Sequence, residues 1–333
     1  MSLNFLPKRT AQGKISATAL LISLCLSTQP AQAALTFNFT YLSPGQGFDD
    51  PTFGAARKLA LNSAADLLGE YFVNYTATLD YDVTSSSVNE SRLASAGSSY
   101  SVIPGTFQRT TVQTKILTNG ATDSNYFAAD GHIDWNFYEN WGLSDSVAAN
   151  EFDFKTVAIH ELLHSFGFSS VVNQNGGGLE DKNTGTPDTW ATFDKFLTNA
   201  DGVSLINNAG VFAGSNVNAL TSGSGSVLFN GQNAKDANGG VAVNLYAPTI
   251  FSPGSSISHL DDDTLALSEL IMASSVSAGQ KSRELSAIEL GILRDIGYTQ
   301  IVAPAEVPVP AAAWLMLSGL LGLVSFGRRK TAL

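Results

Sequence analysis

The chain reads as an α+β protein: a twisted mixed sheet packed on helices, followed by a loop-rich C-terminal part that ends on an amphipathic helix. Three observations predict this. Segments that alternate apolar and polar residues, or are rich in β-branched and aromatic ones, occur at 35–42, 73–83 and 130–137 and read as strands. Residues 53–72 and 157–166 carry helix formers at helical spacing, and Gly167 is placed to end the second stretch. Periodicity then disappears until Leu285 to Ile296, where Ile288, Leu290, Ile292, Leu293 and Ile296 fall on one helical face.

The first 33 residues stand apart from this body. Lys8, Arg9 and Lys14 precede an apolar run from Ile15 to Leu26, and Ala31-Gln32-Ala33 follows. That is the layout of a secretory signal peptide, with cleavage expected before Ala34. The single cysteine, Cys25, lies inside it, and bulky Leu24 stands where a lipoprotein signal needs a small residue. The mature chain then has no thiol, which excludes disulfides, cysteine metal ligands, a cysteine nucleophile and latency through a cysteine on a metal. No long pro-segment separates Ala34 from the first strand, so any latency works by another route.

The chain has 18 Lys and Arg against 29 Asp and Glu. Residues 1–33 and 304–333 hold six of the basic residues and one acidic residue, leaving 12 against 28, net −16, in the body at 34–303. So acidic a body argues against binding nucleic acid or anionic membranes through charge.

Within the body, 35–42 reads as a half-buried strand, broken by Gly45 and Gly47. A helix over 53–72 leads to a strand over 73–83. Residues 84–99 are Ser-rich and read as a loop with a short helix at 92–96; 107–117 is strand-like. In 130–137 Ile133, Trp135 and Phe137 face one side, and His132, Asp134 and Asn136 the other. The N-terminal part, 34–168, would close over the 157–166 helix. In the C-terminal part, 169–303, a Gly- and Asn-rich loop at 173–187 precedes a short amphipathic segment at 190–202. Isolated strands and loops are expected over 203–250. Asp201 and Asp261 to Asp263 are conceivable calcium ligands, although solvated turn carboxylates are the favoured reading. Ser286 and Glu289 form a capping-box pattern at the start of the last helix.

The chemistry concentrates in His160-Glu161-Leu162-Leu163-His164. Two histidines four residues apart stack on one helical face and can reach one metal ion, while Glu161 is placed to act as general base on a water. This is the zinc-protease pattern, in which the metal brings the pKa of its water to ~7. A catalytic zinc usually has three protein ligands. Ser170, six residues after His164, is a poor ligand, so the remaining candidates are His132 and His259. His259 lies in Ser258-His259-Leu260-Asp261, and Met272 follows thirteen residues later, ahead of the last helix.

That arrangement is similar to the leishmanolysin and gametolysin branch of the metzincins, where a third His lies far downstream and a Met-turn follows beneath the metal. The resemblance covers roughly 35–300 but is specific only at 157–168 and 257–298. It implies a metzincin-like fold with His160, His164 and His259 as zinc ligands, Glu161 as the base, Gly167 as the turn after the active-site helix and Met272 as the Met-turn. Leu260, in place of a tryptophan, and the missing cysteines are departures. Residues 304–333 resemble PEP-CTERM sorting signals of Gram-negative bacteria: Pro308-Val309-Pro310, an apolar transmembrane stretch from Ala311 to Phe326, then Arg328-Arg329-Lys330. The departure is Val309 where that signal carries a glutamate. A plain C-terminal membrane anchor is the alternative.

The expectation is thus an exported zinc endopeptidase, secreted or at the cell surface, with a protein or peptide substrate and an exosortase-type enzyme acting on its tail. The alternative is a non-catalytic surface or biofilm-matrix protein on a metzincin scaffold, and a zinc hydrolase acting on a non-peptide amide is a third reading.

Overall fold

The computed structural model describes residues 35–122, 129–264 and 266–304. The expected signal peptide and the sorting tail from 305 onward lie outside the described residues. Among the described residues no helix is long and apolar enough to cross a membrane.

In chain order the elements are β1 (Leu35–Tyr41), α1 (Gly54–Gly69), β2 (Ala77–Ser86), β3 (Ala94–Ser98), β4 (Thr106–Gln108), α2 (Thr111–Leu117), β5 (Gly131–Asn136), β6 (Trp141–Gly142), β7 (Phe152–Asp153) and α3 (Phe154–Ser165). They continue with β8 (Thr189–Ala191), β9 (Leu197–Asn199), β10 (Val227–Phe229), α4 (Gln232–Ala237), β11 (Val243–Asn244) and α5 (Ala287–Asp295). Single-turn 3-10 helices fill Glu70–Phe72 and Thr192–Phe196. The α+β expectation therefore holds.

The main sheet has the order β1-β2-β5-β3. β1, β2 and β5 run parallel, and β3 is antiparallel to β5 with Ala96 opposite Ile133. Alternation puts Leu79, Tyr81, Val83, Ile133 and Trp135 on the inner face, all buried. That face packs on α3: Trp135 stacks on Phe154 with ring centroids 4.0 Å apart, and the Tyr81 hydroxyl shares a 2.6 Å hydrogen bond with that of Ser165. α3 is buried on nearly every side, so its stability comes from packing more than from amphipathicity. Gly167 ends it at φ +96°, where a Cβ would also meet the Gln113 amide at 2.7 Å.

Two local expectations are corrected. Residues 92–96 form no helix: β3 occupies 94–98, because the Ser-rich chain finds its hydrogen-bond partners on β5. Residues 107–117 are not one strand. Thr110 accepts a hydrogen bond from the Gln113 N–H at 2.9 Å and caps α2, whose Val112 and Ile116 are buried one turn apart. The segment 190–202 is two short strands around a 3-10 turn, with Trp190 and Phe193 fully buried.

The C-terminal part is organised by a turn that hydropathy does not reveal. Asn173, Asn199 and Asn207 each accept two backbone N–H bonds through Oδ1, from residues two and four ahead. Three residues after each stands a glycine with φ of 76°, 75° and 68° respectively. The signal is Asn-x-x-Gly, a side-chain-braced turn closed by a left-handed residue. The two halves share one interior. β4 pairs with β8, Gln113 Nε2 donates to the Ile296 carbonyl at 2.9 Å, and Tyr298 Oη donates to the Phe166 carbonyl at 2.8 Å.

Candidate metal centre

α3 begins on an Asp153 cap. The Asp153 carboxylate accepts the Thr156 hydroxyl at 2.6 Å and two Arg283 nitrogens, Nε at 2.8 Å and Nη2 at 2.7 Å. Asp153 is fully buried, and Arg283 adds Asp145 at 2.8 Å. The Asp153 bonds hold the Arg283 guanidinium above its ordinary pKa. This fork ties the chain that follows Met272 to the start of the histidine helix. Arg283→Ala removes the guanidinium from the buried Asp153 carboxylate, and is expected to lower unfolding free energy by about 3–5 kcal/mol. Urea denaturation measures it; a loss below about 1 kcal/mol makes the pair peripheral.

His160 and His164 stack on one face of α3, and His259 arrives from a loop that follows β11. Their Nε2 atoms stand 3.1 Å from one another in all three pairs. Each ring uses its other nitrogen on a backbone carbonyl: His160 Nδ1 donates to Ile271 at 2.7 Å, His164 Nδ1 to Phe168 at 2.8 Å, and His259 Nδ1 to Ser255 at 2.7 Å. A proton on Nδ1 leaves a lone pair on Nε2, so three acceptors converge on one point. Burial drives His160 down to about 3 and His259 to about 4, and it holds His164 well below its ordinary value. All three are neutral at pH 7, the state that binds metal. These three histidines lie close enough to hold a metal ion, and among the described residues they are the one such group.

His132 lies on the outer, exposed face of β5, over Gly97, and takes no part. The calcium expectation finds no support among the described residues. Asp261 accepts Ser224 and Thr264, Asp262 accepts Ser274 and Ser275, and Asp201 sits exposed in an Asn-braced turn.

Met272 is fully buried. Its carbonyl accepts from the Leu260 N–H at 2.8 Å, next to His259, and its own N–H donates to Glu289 Oε1 at 2.8 Å. Glu289 also accepts from Ser286 N–H at 2.7 Å and from the Ile271 N–H. The expected capping box is therefore present and does a second job: it holds the turn whose Ile271 carbonyl orients His160. The sequence marks Glu289 for the cap alone, and nothing local in it marks Asp153, Arg283 or the three orienting carbonyls.

Ser170 does not join the cluster. Its N–H donates to Ser258 Oγ at 3.1 Å, and its hydroxyl bonds the buried Asp194 carboxylate. Asp194 also accepts from Ala191 N–H at 2.9 Å and Val171 N–H at 3.3 Å, while its Oδ1 has no partner. Burial raises Asp194 from 3.8 to about 7. A carboxyl raised on folding adds stability that is complete below its unfolded pKa and is lost as pH rises through about 7. Asp194→Asn should therefore lose less stability than wild type between pH 4 and pH 8 in unfolding titrations (~4 and ~8). Parallel curves for the two proteins would place the pH dependence elsewhere.

Glu161 is buried beside the trio, in a cleft of about 830 Å³. Burial pushes its carboxyl up to about 8, against the opposing pull of the Ala96 N–H and the Arg92 charge. β3 forms one wall of the cleft; Val157, Leu270, Ile271 and Val276 contribute apolar surface to others.

No protein-family model matches this chain, and no curated protein matches it with significance.

Proposed function

We propose that the protein is an exported zinc-dependent endopeptidase. The observation that carries this reading is the convergence of His160, His164 and His259 beside the buried Glu161. Three nitrogens ~2.0–2.1 Å from a tetrahedral zinc stand about 3.3 Å apart, and the trio's 3.1 Å spacing fits that donor set. Histidine nitrogens, with no thiolate or further carboxylate in the group, leave one coordination position open, as catalytic rather than structural zinc sites do.

Zinc held there supplies Lewis acidity, polarising a carbonyl oxygen and bringing the pKa of a water to ~7. The chain's own residues do the rest. Glu161, whose carboxyl the charge of a bound zinc would draw down from its metal-free value of about 8, takes a proton from the attacking water as a carboxylate and returns it to the departing amine. The Ala96 N–H favours the ionised form of that carboxyl, and the Ile271, Phe168 and Ser255 carbonyls keep the imidazoles in the ligating tautomer.

Backbone register supports a peptide substrate. Asn136 N–H donates to the Leu93 carbonyl at 2.9 Å, so residues 93, 95 and 97 turn their polar groups toward β5. Residues 94, 96 and 98 then present theirs to the open edge, where Ala96 meets Glu161. The edge for an extended substrate is accordingly β3. The 130–137 strand is β5, enclosed between β2 and β3, and has no free edge to offer. An added strand bonds through the main chain. The test is hydrolysis of unstructured protein by the zinc-loaded enzyme, abolished by a chelator and restored by zinc. A fully loaded protein that cleaves no peptide moves the reading to a non-catalytic surface scaffold. Export through residues 1–33 and processing of 304–333 by an exosortase-type enzyme complete the proposal.

A further inference from the structure

Among the described residues lining the cleft, Arg92 is the one cation. It stands two residues before β3, and its guanidinium folds back over that strand. Nη1 is 3.4 Å from the Ser95 hydroxyl, and Nη2 is 3.2 Å from Asp134 and 3.3 Å from Glu90. Ser95 and Asp134 are opposite one another on β3 and β5. They share the outer face of the sheet, the face opposite Ile133 and Trp135. The guanidinium is thus fixed at the outer-face corner of the edge that runs past Glu161, with 54% of its side chain still exposed.

A peptide added to this edge alternates its side chains between the cleft and the outer face. The residue paired with Ser95 points to the outer face, and cross-strand neighbours stand within about 5.5 Å of one another. That residue's side chain meets the Arg92 fork, whose remaining N–H donors match a carboxylate. Resting on the endopeptidase reading, we infer that Arg92 is a specificity-determining residue that receives an aspartate or glutamate side chain of the substrate, within two or so residues of the scissile bond. If the peptide runs antiparallel to β3, an acidic residue that reaches further toward Arg92 lies on the carboxyl side of that bond.

The test uses the full chain and a set of peptides that share one cleavage site. Glutamate, glutamine or lysine is placed at each of three positions on either side. Wild type is expected to favour glutamate over lysine in kcat/KM about two- to fivefold at one position, as cross-strand charge pairs do, and R92E to reverse that order while R92Q levels it. The ratio within each variant cancels any general effect on rate. Peptide binding to E161Q, alone and combined with R92E, gives the same comparison as a ratio of Kd values without turnover. Cleavage with no acidic preference, or a preference unchanged in R92E, overturns the inference; so does the absence of peptide binding. Binding that follows Arg92 in a protein that cleaves nothing upholds the subsite and rejects the endopeptidase reading instead.

Discussion

Replacing His259 with alanine is expected to strip the metal from the protein while His132→Ala leaves it in place. Wild type, purified and dialysed against metal-free buffer, should hold about one zinc per chain. Loss of an outer-shell partner already costs ~10–100-fold in metal affinity, and His259 contributes a nitrogen to the centre itself, 3.1 Å from both other Nε2 atoms. Its removal should weaken binding by more than ~100-fold, seen as loss of zinc by elemental analysis. The fold should survive, because His259 sits on a loop whose backbone bonds remain: Tyr246 N–H to the 259 carbonyl at 2.9 Å and Leu260 N–H to Met272 at 2.8 Å. Full zinc content in His259→Ala would remove this residue from the centre. Loss of zinc in His132→Ala would be equally damaging, since that side chain lies on the outer face of β5.

Glu161→Gln should keep its zinc and lose turnover. The glutamine retains the shape of the side chain and an oxygen for the Ala96 N–H, but it cannot accept a proton from water. A positioned general base contributes ~10²–10⁴-fold, so kcat should fall by at least ~100-fold with KM for a peptide little changed. Equal zinc content in the two proteins excludes a structural cause. A kcat within about threefold of wild type would mean that another group takes the proton.

The elements that carry this chemistry were unevenly legible. α3 and the Ser286–Glu289 cap could be read because helical spacing and capping are local, confined to a turn or two of chain. β3 is illegible in the sequence because Ser, Ala and Gly carry no alternation; its strand form comes from pairing with β5. The inner face of 130–137 was legible, whereas its central place in the sheet was not, since periodicity reports which face is buried and not which strands lie alongside. α2 reads as part of a strand because Val112 and Ile116 fit either period equally well; the Thr110 cap decides for the helix.

The candidate centre divides along the same line. The sequence by itself determined that His160 and His164 share a helix face with Glu161 between them, that Gly167 ends the helix, and that two candidate histidines remained for a third ligand. The resemblance at 257–298 already favours His259 over His132; that the three rings meet is what only tertiary structure shows. His259 lies 95 residues from His164, and the bonds beside it are long-range ones: Leu260 N–H to the Met272 carbonyl and Met272 N–H to the Glu289 carboxylate. Tertiary structure alone likewise shows Arg283 on Asp153 and the three carbonyls that orient the rings. Local spacing is imposed by backbone geometry and is therefore written in the residues. Long-range convergence is imposed by packing and loop closure, in which many sequences are equivalent, and it leaves no short-range mark.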